Sequence, residues 1–517
     1  ERAARLSDVL TLDAAKSVLH FADSPPERRS LMAQCICLPV KIGGLGLLRH
    51  VPTRHAAFCA CFIAVSPAVS IACPALETVM SPTSDSFTAT AFRDALGYLR
   101  DTLASVRARH AILDKDSRTW IDGTKHTAYH PQLVRRMLSI PAPADLFDDA
   151  NSTPTARCYS QRALAAVVNS DAWLRCKELC DLFDAANNSN ASVRDREGAR
   201  LVSYSQEGAG EWLKRFPDPS VKGSIVASAK YLTQCQRCAG GYLSALTSPL
   251  DAVAAYRDVT QHERLGDAYI NVANNTHRHN AGLHATFNAL RALSTTDGAA
   301  GRIVLGDRGD GSAASKDEAR RLHAHINEGH VPDLIRHDSP PSMMEFKCYS
   351  PFLDRTSVAL GNGSRTHGGA ASTADGGRFA FGNTEEKLRA TVLGVAERGD
   401  RADGPLDRRT GVGWVAASTK HDYADALSRG RSVTLLTSES SGAIAADYAA
   451  CLRALDKQSR LPETQDSTRY GTSLSSPQSF YQHHVAAISA AIVGADADTI
   501  ANKARSLSFM VSTGIAA

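Results

Sequence analysis

The sequence predicts a multidomain chain, with an all-α N-terminal half followed by an α/β domain built on a small mixed sheet. Three observations carry this. At 517 residues the chain exceeds the soft prior of roughly 100–200 residues per domain. Apolar residues recur at helical spacing through the N-terminal half. From residue 281 the texture changes, and short β-rich runs alternate with helical ones, the pattern of an α/β unit.

Composition sets the limits. A hydrophobic fraction of 43% allows sizeable cores, and aromatics at only 6% favour helix-rich packing of modest side chains. A net charge of +4 permits a nucleic-acid partner without arguing for one, because dedicated binders are usually more basic or visibly patched. The twelve cysteines are scattered, mostly in apolar helical contexts, so reduced, buried, intracellular thiols are expected. The chain begins at Glu1 rather than methionine and is expected to be a fragment, so the lack of a signal peptide says nothing about targeting.

Taken in order, residues 1–125 read as a helical region. "LSDVLTLDAAKSVLHFA", "PPERRSLMAQCICL" and "SFTATAFRDALGYLRDTLASVRARHAIL" each show helical spacing. Between them, Gly43, Gly44 and Gly46 predict a tight turn; no GK[ST] follows to make a phosphate loop. "AAFCACFIAVSPAVSIACPAL" (56–76) is uncharged and long enough to span a bilayer, but Pro67 and Pro74 interrupt it. A buried, proline-terminated core helix and no membrane are expected. Residues 126–230 read as a helical linker region, polar and loop-rich, with the linker-like strings "DDANSTPTAR" and "AANNSNASVRDRE" and, at 199–220, a short apolar segment, a Gly-containing turn and a short helix ending at Pro217. Residues 231–280 carry a "CQRC" string, and 281–460 hold the α/β pattern. There "GRIVLGD", "SMMEFKCYS" and "SVTLLTSE" read as strands, and "AGLHATFNALRAL" and "GAIAADYAACLRALDKQ" as helices. Residues 461–517 read as a C-terminal tail, polar and then an Ala/Ile-rich helix.

The chemistry gathers at "VPDLIRHDSPPSMMEFKCYSPF" (331–352). Side chains at i and i+2 of a strand share a face. Glu345 and Lys347 therefore point one way, toward a wet cleft, and Met344, Phe346 and Cys348 point toward the helices. Two carboxylates, Asp333 and Glu345, suit Mg²⁺ or Mn²⁺, which favour hard oxygen ligands. A lysine beside them can orient or help deprotonate a water for phosphodiester hydrolysis. Pro332 stiffens the approach to Asp333. The string is weak by itself, and a coincidental charged strand is the alternative. The chain holds its own controls: Glu385 and Lys387 form an E-x-K in a helical pattern with no preceding PD, and Pro217–Asp218 has no E-x-K soon after.

Several ordered blocks resemble a known family. The "RHN" at Arg278–Asn280 opening a helix, "PD" at 332–333, "EFK" at 345–347 and "KHDYADAL" at 420–427 resemble the restriction-endonuclease-like, PD-(D/E)XK domain of certain non-LTR retrotransposon polyproteins. "CLPVKIGGLGLLRHVPTRHAAFCA" resembles the stretch after the reverse-transcriptase palm in these elements, and "ARLVSYSQEGAGEWLKRFP" a block of their linker. The resemblance implies a thumb-like helical region over 1–125, a linker over 126–230, and a restriction-endonuclease-like fold over 281–460. It implies an Mg²⁺-dependent endonuclease that nicks a DNA target for target-primed reverse transcription, with element RNA as a partner of the full-length protein and a nuclear location. Asp333, Glu345, Lys347, Lys420 and Tyr423 would form the catalytic set; Glu439 has a less defined role.

Two departures stand beside it. No [FY]-x-D-D strand is present, so this chain is not expected to polymerise DNA. The family's zinc knuckle is half-formed. Cys235 and Cys238 supply one pair, but Ala268 stands where histidine is expected and Asn271, Val272 and Ala273 offer no cysteine. A decayed zinc site is expected, with His262, His277 or His279 as substitutes. Glu318 or Glu328 is a candidate additional acid, and the histidines of "RLHAH" (321–325) are expected to face solvent. A non-catalytic nucleic-acid-binding remnant and an inactive retroelement fragment remain the alternative readings.

Overall fold

The computed structural model describes residues 2–19, 26–76, 85–121, 161–188, 197–214, 234–235, 238, 268–294, 303–306, 317, 321, 332–336, 342–349, 423, 426, 429–459, 472–473, 476–477 and 479–512. The chain is mostly helical with a small mixed four-stranded sheet. It divides into two compact units, one of residues 1–183 with 238–241 and one of residues 184–237 with 242–517.

The first unit is helical: α1 (Arg2–Val18), α2 (Pro26–Ile36), α3 (His50–Ala72), α4 (Phe87–Ile121) and α5 (Gln161–Asn188). The glycine turn leads into α3. Gly43 (φ 91°) and Gly46 (φ 80°) take left-handed backbone, and a Cβ on Gly44 would lie 1.9 Å from the Leu38 carbonyl oxygen. The start of α3 is capped from a distance. Arg49 offers no side-chain cap. The Asp8 carboxylate on α1 instead accepts hydrogen bonds from the His50 and Val51 amides, at 2.6 and 3.1 Å. Pro52, next in line, has no amide to satisfy.

The α3 segment differs from its expectation in one respect. The helix runs through Pro67 and ends only at Cys73, before Pro74. Ala56, Cys59 and Phe62 are buried, with the Phe62 ring stacked on Phe92 at 4.2 Å, whereas Ile71 is 83% exposed. Only the first part of the segment is core. No described helix is long and apolar enough to cross a membrane.

The second unit contains the sheet: β1 (Ile303–Leu305), β2 (Leu334–Arg336), β3 (Ser342–Tyr349) and β4 (Val433–Glu439), in that spatial order. The first two pairings are antiparallel and β3–β4 is parallel. The period-2 alternation of β3 divides the two faces. Met344 and Phe346, with Ile303, Leu305, Leu334 and Leu436, pack on α7 (Ala268–Ser294), α8 (Ala446–Ser459) and α9 (Phe480–Ser512). Met343, Leu435, Val304 and Ile335 face the other way, against Tyr423 and Ala426. Helix α7 lies close on β3: a Cβ on Gly282 would come 2.4 Å from Phe346 Cζ.

Three sequence expectations differ in detail. Arg278–Asn280 lie inside α7 rather than opening it. The Ala/Ile-rich helix expected in the 461–517 tail is present as α9, but its Val485, Ile488 and Ile492 are buried in the same core as the sheet. A buried ion pair joins α9 to α7: Arg278 Nη1 donates to Asp496 Oδ1 at 2.6 Å, and Gln234 Nε2 donates to Asp496 Oδ2 at 3.3 Å. The "ARLVSYSQEGAGEWL" block, expected as an apolar segment, a glycine turn and a short helix of a linker, forms α6 (Glu197–Tyr204), a turn and a short helical turn, and it packs on the end of the sheet. The Ile444 amide donates to Glu207 O at 2.8 Å, and Arg453 and Tyr481 both donate to the Glu207 carboxylate.

Candidate active site

The site grows from a mismatch in strand length. β2 has three residues and β3 has eight, and their pairing stops at Leu334 opposite Met344. Beyond that point the chain preceding β2 is Pro332–Asp333, and proline has no amide to continue a ladder. The edge of β3 at Phe346 therefore finds other partners. Its amide donates to Asp333 Oδ2 at 2.9 Å, and its carbonyl oxygen lies 2.9 Å from His279 Nε2.

His279 Nε2 also sits 3.4 Å from Asp333 Oδ2. Both neighbours are acceptors, so Nε2 carries the proton and is shared between them. The ring stands edge-on to Phe346, with centroids 5.3 Å apart. Burial depresses the His279 pKa, but the hydrogen bond and charge of Asp333 outweigh it and the net shift is upward; the nearby Lys347 ammonium opposes that rise.

On the opposite face of β3, Glu345 and Lys347 lie side by side as the alternation predicts, and the Lys347 ammonium donates to Glu345 Oε1. The Tyr423 hydroxyl donates to Glu345 Oε2 at 2.5 Å. The structure thus brings together Glu345, Lys347 and Tyr423, with Asp333 at the edge of the same strand. Lys420 lies outside the described residues, as do Glu318, Glu328, Glu385, Lys387 and His262.

The expectation of a wet cleft around Glu345 is corrected. Glu345 is 1% exposed and Tyr423 is fully buried. Only the Lys347 side chain, 30% exposed, leads from the cluster toward solvent. The reason is that Tyr423 and Ala426 pack on this face of the sheet. A carboxylate buried this far keeps its charge only with partners, and both of its oxygens have one.

For a hard divalent cation the oxygen donors are Asp333, Glu345 and the Phe346 carbonyl. Two of them, Asp333 Oδ2 and Phe346 O, already converge on one point, the proton of His279 Nε2. Asp333 Oδ1 has no hydrogen-bond partner among the described residues. These donor types suit a hard divalent cation, but among the described residues Asp333, Glu345 and His279 do not form a metal-ligating group of three. His279 was expected only as a substitute zinc ligand; its place in the "RHN" block was the one signal in the sequence.

Among the described residues no third ligand joins Cys235 and Cys238. Cys235 and Cys238 are both buried, and Cys238 Sγ lies 3.8 Å from the Gly43 carbonyl oxygen. His277 lies 4.0 Å from Asp498 and His279 belongs to the Asp333 edge, so neither completes the pair.

Glu439 occupies a second buried polar cluster at the end of β4. Ser203 Oγ donates to its Oε2 at 2.5 Å and lies 2.6 Å from Ser441 Oγ. Oε1 has no partner among the described residues. Burial pushes the carboxyl up to about 8, with the Ser203 hydrogen bond pulling it back.

Compared with known families, curated proteins and solved structures, the chain matches no family model, no curated protein and no solved structure.

Proposed function

We propose that the second unit is a divalent-metal-dependent endonuclease module that hydrolyses a phosphodiester of DNA, of the restriction-endonuclease-like kind that the PD and E-x-K strings resemble. One observation carries the reading: Glu345, Lys347 and Tyr423 meet on one face of β3, at the strand whose edge Asp333 occupies. A bound Mg²⁺ would offset the phosphate charge and acidify a water. Asp333, Glu345 and the Phe346 carbonyl would supply its oxygens. Lys347, the partly exposed member, reaches toward the phosphate and the attacking water, where an ammonium can orient that water or accept its proton after deprotonation. Tyr423 fixes the Glu345 carboxylate, and His279 fixes Asp333. In a retroelement such a nick would expose a 3′ hydroxyl to prime reverse transcription, with the polymerase supplied from outside this chain.

The test is relaxation of supercoiled plasmid by the full chain, with Mg²⁺ or Mn²⁺ and with chelator. Metal-dependent nicking is expected, falling at least 100-fold in Glu345→Ala and Lys347→Ala. Folded wild-type protein that nicks no DNA with either metal would sink the proposal.

A second reading has its own observation. Both Glu345 oxygens are engaged and the residue is buried, as suits an ion pair that holds the sheet rather than a catalyst. The chain would then bind nucleic acid without cutting it. Binding with a steep salt dependence, surviving Glu345→Gln, would favour this reading.

A further inference from the structure

The first unit holds a group of side chains that the nuclease reading does not use. Cys176 and Cys180 are four residues apart on α5 and so share a face. Cys35, on α2, meets them there. All three are buried, and their Sγ atoms all lie within 4.8 Å of one another, with Cys35 and Cys176 at 3.3 Å. The sequence expectation for these, as for the other cysteines, is reduced, buried thiols, and 141 residues separate Cys35 from Cys176.

We propose that Cys35, Cys176 and Cys180 form a three-thiolate site for one thiophilic d¹⁰ cation, Zn²⁺ or Cu⁺. The geometry suits it. A metal–sulfur bond of about 2.3 Å places sulfurs about 3.8–4.0 Å apart in tetrahedral or trigonal coordination, within the spacing already present. The donor chemistry is selective: no carboxylate or imidazole joins the group among the described residues, so hard cations such as Mg²⁺ and Ca²⁺ are disfavoured. A disulfide is the competing use of close thiols. It would join two sulfurs at about 2.05 Å and leave the third without a role, whereas a metal engages all three.

Binding is balanced by protons. The cation displaces one proton from each thiol to solvent, leaving a tris-thiolate complex of charge −1 with Zn²⁺ or −2 with Cu⁺. Arg28, also on α2, is buried on the same pair of helices. Its guanidinium carbon lies 4.6 Å from the Phe183 ring centroid, and Phe183 is three residues from Cys180 on α5. Coordination would staple α2 to α5, two helices far apart in the chain.

The experiment uses the full chain carrying Cys235→Ser and Cys238→Ser, so that the other buried cysteine pair contributes nothing. Reduced, chelator-stripped protein is titrated anaerobically with Cd²⁺, as a reporter for Zn²⁺, and separately with Cu⁺ against a chromogenic Cu⁺ chelator. One equivalent is expected, with thiolate-to-metal ultraviolet absorption and a protein melting temperature that rises with metal. The Zn²⁺ arm is assigned if Zn²⁺ displaces Cd²⁺, and the Cu⁺ arm if only Cu⁺ competes with its chelator. Cys176→Ala and Cys35→Ala should each weaken binding at least 10-fold while circular dichroism stays helical. The parent titration needs no variant to decide: absence of thiolate–metal absorption in both arms overturns the proposal. So does equal binding by Cys176→Ala, or a Cys35–Cys176 disulfide recovered from protein that binds no metal.

Discussion

Glu439→Gln provides a quantitative test of the buried end of β4. In the native protein the carboxyl is buried, its Oε1 has no partner among the described residues, and burial raises its pKa from the ordinary 4.5 to about 8. The folded state therefore prefers the neutral acid. A raised pKa contributes stability that is fully present below the unfolded value of 4.5 and is lost as pH rises through about 8. At about 1.4 kcal/mol per pH unit the whole window amounts to about 5 kcal/mol, of which about 3 is lost by pH 7 and about 4 between pH 5 and pH 9. Gln is nearly isosteric with the neutral acid, keeps an acceptor for Ser203, and does not titrate. At about 2–4 °C per kcal/mol, wild type should lose roughly 8–16 °C of melting temperature relative to Glu439→Gln between pH 5 and pH 9. The assay is thermal unfolding by circular dichroism of both proteins at pH 5, 7 and 9. The curves should nearly coincide at pH 5, with the variant the more stable at pH 9. Parallel pH dependences of the two proteins would refute the reasoning, because they would mean that Glu439 is solvated or paired in solution.

Two further predictions concern the site and its frame. Tyr423→Phe removes the hydroxyl that holds Glu345 Oε2; nicking should fall about 10-fold, equivalent to about 1.4 kcal/mol, with the metal requirement unchanged, as read by plasmid relaxation against Mg²⁺ concentration. Asp496→Ala leaves the buried Arg278 guanidinium without its 2.6 Å carboxylate partner, which should cost about 3–5 kcal/mol; a urea or thermal melt should show it, and the Arg278→Met, Asp496→Leu double variant should recover most of the loss.

Features that depend on short-range periodicity are legible before the chain folds. Period-2 alternation sends Glu345 and Lys347 to one face of β3 and Met344 and Phe346 to the other, whatever surrounds the strand. The helical spacing around Cys59 and Phe62 and the turn chemistry of Gly43 and Gly46 are local in the same way. The tertiary structure alone decided how each face is covered. Tyr423 meets Glu345 across 78 residues, His279 meets Phe346 across 67, and Ser203 meets Glu439 across 236. No local pattern encodes such pairings, since they depend on which distant segment packs over a given strand end. For the same reason the sequence placed Glu345 in a cleft and the structure buries it: alternation selects the face, and only what packs on that face sets its solvation. The thiols of Cys35, Cys176 and Cys180 follow that rule too. Their helices are legible one by one, but the meeting of α2 with α5 is a property of the packed unit.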